Sequence, residues 1–410
     1  MSLLRTYREL TVLLAIALTL SLLGCSGSGG SKNATLTVGS SARSPQAVSP
    51  AQGRLLGDLD DDGQPSIGDA IRILRIVVGL DPDDPCADAN ENGSTDVGDA
   101  IKLLRCVVGL DNWPIGECDG GPIEGGYQFV TMWGSEGSGD GQFSYPEGVA
   151  VDAAGNVYVA DTGNCRIQKF TGSGTFITKW GSAGSGDGQL YPWGIAVDAA
   201  GGVCVADGGN HRIQKFTSTG DFITKWGSEG SGDGQFDDSP THVALDAAGN
   251  VYATDRRNNR VQKFTGTGTF VTKWGSYGFG DGQFQWGPHG VAVDATGNVY
   301  VTDTHNDRIQ KFTSTGTFIA KWGSDGSGDG QFQAPGGVAV DADGNVYVLD
   351  WNHRIQKSTG TGTFITKWGS EGSGLGQFRG SGGVAVDVDG HVYVADSYNH
   401  RIQKFRPVAP

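Results

Sequence analysis

A chain of 410 residues has room for two or three domains, and its 69 glycines and 14 prolines, about one fifth of the total, bring it near low complexity. Yet 10 Trp, 11 Tyr and 17 Phe exclude a disordered chain, glycine does not recur at every third position as collagen needs, and only 2 Met with few Ala- or Leu-rich stretches argue against a large helical protein. The formal charge of −15 makes nucleic acid and anionic membrane surfaces poor direct partners, and −11 of it falls in residues 51–126, which hold 16 acidic and 5 basic residues.

The N-terminus reads as an export address. Arg5 and Arg8 precede an apolar run from Leu10 to Leu23, too short for a membrane span and suited to a signal-peptide core. The run ends in Leu22-Leu23-Gly24-Cys25, followed by Ser26-Gly27-Ser28-Gly29-Gly30. This resembles the lipobox of bacterial lipoproteins. The resemblance implies cleavage after residue 24, lipidation of Cys25, and a protein held outside the cytoplasm, at the outer membrane or cell surface, through its lipid alone. Residues 25–50 are small and polar and read as a flexible tether.

The acidic block, residues 51–118, contains two twelve-residue loops, 58–69 and 88–99. Both carry oxygen side chains at loop positions 1, 3, 5, 9 and 12 and Gly at position 6, the arrangement a hard cation such as calcium demands. The first ligand set is Asp58, Asp60, Asp62, the Gln64 carbonyl, Ser66 and Asp69; the second is Asp88, Asn90, Asn92, the Ser94 carbonyl, Asp96 and Asp99. Each loop runs into an apolar segment with helical spacing, residues 70–80 and 100–110. The paired loop-helix units resemble a dockerin, a small α-helical calcium module that docks on a cohesin-type protein. The pairs Ile67-Gly68 and Val97-Gly98 stand where dockerins often carry Ser or Thr, which points to a more apolar contact. Cys86, Cys106 and Cys118 lie around the second unit, and three pairings remain open for an exported chain. Residues 119–126 read as a linker.

From Tyr127 to Arg406 the chain repeats itself. Trp133, Trp180, Trp226, Trp274, Trp322 and Trp368 are each followed by Gly-Ser, at spacings of 46 to 48 residues. One unit holds four short β-type runs, in the first copy Gly148–Asp152, Asn156–Asp161, Arg166–Phe170 and Thr175–Trp180. Four strands taken six times predict an all-β, six-bladed β-propeller. The run Phe129–Trp133 matches a fourth strand, and the C-terminal runs match only strands one to three, so the N-terminal strand should complete the last blade and close the ring. The motif Asp-x-x-Asn-x-Arg-(Ile/Val)-Gln-Lys, as in Asp161–Lys169, with Gly-Ser-Gly-Asp-Gly-Gln-Phe in the long loop, resembles the NHL repeat. That resemblance implies a propeller that binds proteins, peptides or RNA; related six-bladed propellers include lyases and esterases.

Repetition separates scaffold from site. Asp161 with Arg166, and its five counterparts, should be ion pairs within blades; the Asp140, Asp187, Asp233, Asp281 and Asp329 series marks a turn, interrupted at Leu375. His211, His353 and His400 share one repeat position and read as scaffold, and no bridge is predicted between Cys165 and Cys204. Departures from the repeat cluster in two loops expected on one face: Glu147, Trp193, His242, His289, Trp286, Arg256, Arg257, Trp351 and Tyr398. Aromatic rings with two arginines there suit a protein, peptide or carbohydrate ligand on a monomeric surface protein. The alternative is a metal-dependent lyase or hydrolase at the channel mouth, with a transition metal on His242 and His289 and with Glu147 as third ligand.

Overall fold

The computed structural model describes residues 126–408, apart from positions 238 and 381. The export segment with Cys25, the tether, both calcium loops with their helices, and Cys86, Cys106 and Cys118 lie outside the described residues. No helix among the described residues is long and apolar enough to cross a membrane.

Six four-stranded antiparallel sheets form the blades of a propeller. Blade 1 runs from inside to outside as Pro146–Val151, Val157–Asp161, Arg166–Phe170 and Phe176–Trp180. The inner strands of blades 2 to 6 are Pro192–Val197, Pro240–Leu245, Val291–Val293, Val338–Val340 and Val384–Val386. These six contact one another in a closed cycle around the axis. Blade 6 takes its outer strand from the other end of the domain: Tyr127–Trp133 pairs with Arg401–Pro407. The closure expected from the repeat phase is therefore present. The inner strands differ from expectation. In the first blade pairing starts two residues early, because Pro146 already lies opposite Asp161 before a register shift.

The second strand of each blade, as in Val157–Asp161, is buried at every position. Alternation explains why both faces are apolar. Val157 and Val159 pack towards blade 6, with Tyr393 and Ala395; Tyr158 and Ala160 pack towards blade 2, with Val203 and Val205. The core is thus a set of slabs between blades. Outer strands such as Phe176–Trp180 alternate half-buried and exposed residues, as an edge with one wet face should.

The repeated tryptophans join neighbouring blades. Trp133, for example, lies over the outer hairpin of blade 1, where a Cβ on Gly174 would come within 2.8 Å of the indole. Gly174 also has φ of +89°, so both the turn and the ring require glycine there.

The repeated Asp and Arg pair as expected. Arg166 Nε donates to Asp161 at 2.7 Å, and its two Nη groups donate to the carbonyls of Ser138, Gly139 and Gln142 in the long loop. Asn164 and Gln168 donate to the same carboxylate. One buried anion therefore fixes the second strand, the third strand and the loop that reaches the site. In blade 5 the connection is one residue shorter, and the Arg354–Asp350 contact lengthens to 3.4 Å. The Asp140 series makes exposed pairs with outer-strand lysines, Asp140 with Lys179 through to Asp329 with Lys367. Where Leu375 interrupts that series, the lysine position is held by Met132.

Candidate functional site: the loop face and the His242–His289 pair

The two variable loops do share one end of the propeller. The turn after each second strand is tied to the loop before the inner strand: Gly163 N donates to Ser144 O at 2.8 Å, and Trp351 N to Gln333 O at 2.8 Å. Adjacent blades are tied in the same way, by Ser397 Oγ to Pro146 O at 2.7 Å and Thr304 Oγ1 to Pro335 O at 2.8 Å. His211, His353 and His400 sit at a left-handed position that closes each turn, with φ between 53° and 58°. His, Asn and Asp tolerate that conformation better than most side chains, which supports a scaffold role. His400 Nδ1 in addition accepts Tyr145 N of the next blade at 3.2 Å.

Trp286, Trp351 and Tyr398 are exposed on this face, and Trp193 is half-buried with its ring against Gly208. Four further aromatic rings escaped the sequence reading. Tyr145 and Tyr191 precede the inner strands of blades 1 and 2, and Tyr145 packs edge-on to Tyr398 at 5.8 Å between ring centres. In blade 4, Tyr277 packs edge-on to Trp286 at 6.0 Å and to Phe279 at 6.5 Å. The signal was available: Tyr277-Gly-Phe279 stands where every other copy has an acidic residue or Ala, then Gly-Ser.

Below the rim, five of six blades carry glycine at one level, on the inner strand or just before it: Gly148, Gly194, Gly290, Gly337 and Gly383. Their neighbours come close enough that a Cβ on Gly148 would lie 2.5 Å from the Trp193 carbonyl. The sixth residue at this level is His242. Its ring is buried and lies 4.7 Å from that of His289 in the next blade. Neither ring nitrogen of His242, nor Nδ1 of His289, makes a hydrogen bond of acceptable geometry with the protein.

Two threonines hold this pair in place. Thr254 Oγ1 accepts His242 N at 2.9 Å and contacts the His289 carbonyl at 2.9 Å; Thr302 Oγ1 accepts Gly290 N at 2.6 Å and donates to Gly336 O at 2.9 Å. The other four blades have Ala160, Ala206, Leu349 and Ala395 at that position. The threonines were missed because their column lies inside a strand that otherwise reads as scaffold.

Burial pushes His242 down to about 4, opposed by the His289 main chain. His289 also lies well below the usual imidazole range, through burial first, then repulsion from His242 and Arg256. Arg256 is half-buried beside them, and after burial it is the next cause lowering His305. Arg257 is exposed. Glu147 stands apart: burial alone raises it to about 7, with no cation contributing.

The histidine pair and Glu147 do not make a three-ligand set. Among the described residues the group whose ligand atoms lie within 4.8 Å of one another is Asp387, Asp389 and His391 in the blade 6 hairpin. There His391 replaces an Asn found in four other copies, and Asp387 already accepts from His391 and Tyr393 as Asp152 does from Asn156 and Tyr158. The group is a turn of the scaffold.

Between pH 6.5 and 4 the unfolded chain takes up a proton that buried His242 refuses, so stability falls as pH falls through that window. Glu147 acts in the opposite sense: its folded form keeps a proton up to about pH 7, so stability falls as pH rises from 4.5 to 7. The substitution His242→Gly, which restores the residue of the other five copies, should gain on the wild type by about 2–3 kcal/mol between pH 7 and pH 4.5. Urea unfolding at the two pH values measures this, and parallel curves would refute it.

Fold and face together define a six-bladed propeller with a variable loop end. Six stretches match the NHL repeat: residues 143–170, 190–216, 238–264, 286–312, 332–357 and 378–405. The chain therefore carries six NHL repeats, one per blade. Among solved structures it is similar to a protein of unknown function from Bacteroides thetaiotaomicron, with 19% identity, a TM-score of 0.52, and coverage of 68% of this chain and 75% of that one. It is also similar to a gluconolactonase from Xanthomonas campestris, at 15% identity and a TM-score of 0.50, covering 70% and 91% of the two chains. A streptogramin B lyase structure aligns at 16% identity and a TM-score of 0.49, covering 68% and 97%. At these identities the likeness is one of fold. No curated protein matches the sequence.

Proposed function

We propose that this protein is an exported, lipid-anchored recognition protein whose propeller binds a protein, peptide or carbohydrate on its loop face. In this reading Cys25 carries the lipid, and the module of residues 51–118 binds two calcium ions and docks on a cohesin-type partner. One observation carries the propeller's part. Tyr145, Tyr191, Trp286, Trp351 and Tyr398 are 40–63% exposed, and all stand on loops at one end. The repeated rings, by contrast, are in the core or packed between blades. Large exposed aromatic surface is costly to leave in water and marks interaction sites.

The test is a glycan and peptide array probed with wild type and with the triple variant Trp193→Ala, Trp286→Ala, Trp351→Ala. These rings lie outside the slabs between blades, so the variant should melt near the wild-type temperature and lose binding by more than tenfold. Binding that survives the triple substitution sinks the aromatic-face reading.

A second reading, a metal-dependent lyase or hydrolase, is favoured by the unpartnered nitrogens of the His242–His289 pair. Against it, Glu147 does not complete a three-ligand set with that pair. Likeness of fold to a gluconolactonase does not transfer an activity.

A further inference from the structure

The exposed rings and the basic groups are not spread evenly around the face. Blade 4 alone has aromatic residues in this part of its long loop, Tyr277 and Phe279, which with Trp286 form a continuous aromatic edge. The backbone of Gly287, next to Trp286, lies directly on the backbone of Arg256 in blade 3. Arg256, His289 and His305 are near enough to repel one another's charge. Among the described residues Arg256 has no carboxylate partner. The propeller is acidic overall and His305 already faces Asp303 and Asp307, so the half-buried Arg256 guanidinium is a local exception, a cation left to be complemented. An anion complements it, and a planar carboxylate suits the guanidinium fork.

The ligand must also cover aromatic faces without offering a strand. Two main-chain pairs close this loop on itself, Phe284 N to Ser276 O at 2.8 Å and Gly278 N to Phe284 O at 3.2 Å. A peptide added as an extra strand here would have to compete with them. A ring that bears a carboxylate meets both demands, its face on Trp286 and its charge on Arg256.

Resting on the recognition reading above, we infer that the sector formed by Trp286, Tyr277, Phe279, Arg256 and His305 is a binding site for acidic polysaccharide, a polymer of uronic acid residues. Recognition then divides in two: the rings supply area that is indifferent to salt, and Arg256 supplies a salt-sensitive preference for carboxylate.

Affinity electrophoresis or calorimetry of the full chain with polygalacturonate, neutral dextran and poly-glutamate tests this. Expected is retention by polygalacturonate alone, weakened about tenfold by Arg256→Gln and by Trp286→Ala, and weakened by added salt for the wild type but much less for Arg256→Gln. Tyr277→Ala with Phe279→Ala, both on an exposed loop, should weaken binding in a chain that melts as the wild type does. Equal binding to dextran removes the role of charge and overturns the inference. Equal binding to poly-glutamate removes the sugar and overturns it too, as does no binding to polygalacturonate. An array ligand of another class that is still lost in the triple tryptophan variant would sink the polysaccharide site while leaving the recognition face standing.

Discussion

Replacing Asp207 by alanine should lower the stability of the propeller by about 3–5 kcal/mol, the range for breaking a buried pair by removing one partner. Asp207 is fully buried and accepts from Arg212 Nε at 2.7 Å, Gln214 Nε2 at 2.9 Å, Asn210 Nδ2 at 2.9 Å and the Tyr191 main chain at 2.7 Å. Alanine would leave Arg212 as an uncompensated buried cation and free the long loop of blade 2. The shift of the urea midpoint measures the effect, and Asp207→Asn, which keeps the shape, should recover part of it. A loss below about 1 kcal/mol for the alanine variant would contradict the account of one anion organising two strands and a loop. Blade 2 is not part of the polysaccharide sector, so surviving folded protein should keep that binding.

Deleting residues 127–133 should be the most damaging change of all. Tyr127 stacks on Trp368 at 4.2 Å between ring centres and its hydroxyl meets that of Tyr347 at 2.8 Å, so the strand ties blade 6 to blade 5 as well as to itself. Burying Tyr127 and Phe129 alone is worth about 1.5–3 kcal/mol each. Their loss would also leave Arg401–Pro407 as a long unpaired edge, a template for association. The expected result is a melting transition that is broadened and lowered by more than 10 °C, at roughly 2–4 °C per kcal/mol for a domain of this size, together with oligomers on size exclusion. A monomer that melts at the wild-type temperature would mean that the ring does not depend on this closure.

Much of the architecture was legible because the sequence states it six times. The spacing of the tryptophans gave the blade count, and the offset between the first and last copies gave the closure. Strand starts were less legible, since Pro146 can pair across from Asp161 although proline usually announces a loop. For the face, comparing copies found Trp286, Arg256 and the histidine pair, because these depart from the repeat in loops. It passed over Thr254 and Thr302, whose departures sit in a buried strand, and over Tyr145 and Tyr191, which precede a proline that looked like punctuation. It also set Glu147 beside two histidines at the channel rim although the three come from three blades. Position around the ring matters as much: Glu147 is on blade 1, and the histidines are on blades 3 and 4.

Five blades carry an exposed Asp–Lys pair at the outer strand, and the blade built from both ends does not. There Leu375 and Met132 take the two places, and Met132 Sδ lies 3.3 Å from Arg401 Nη1. Brine or a shift in pH can mute the five charged latches, each of which is weak in any case. The seam through which the ring is shut lacks that Asp–Lys latch, so salt that mutes the other five leaves the stacking of Tyr127 on Trp368 in place.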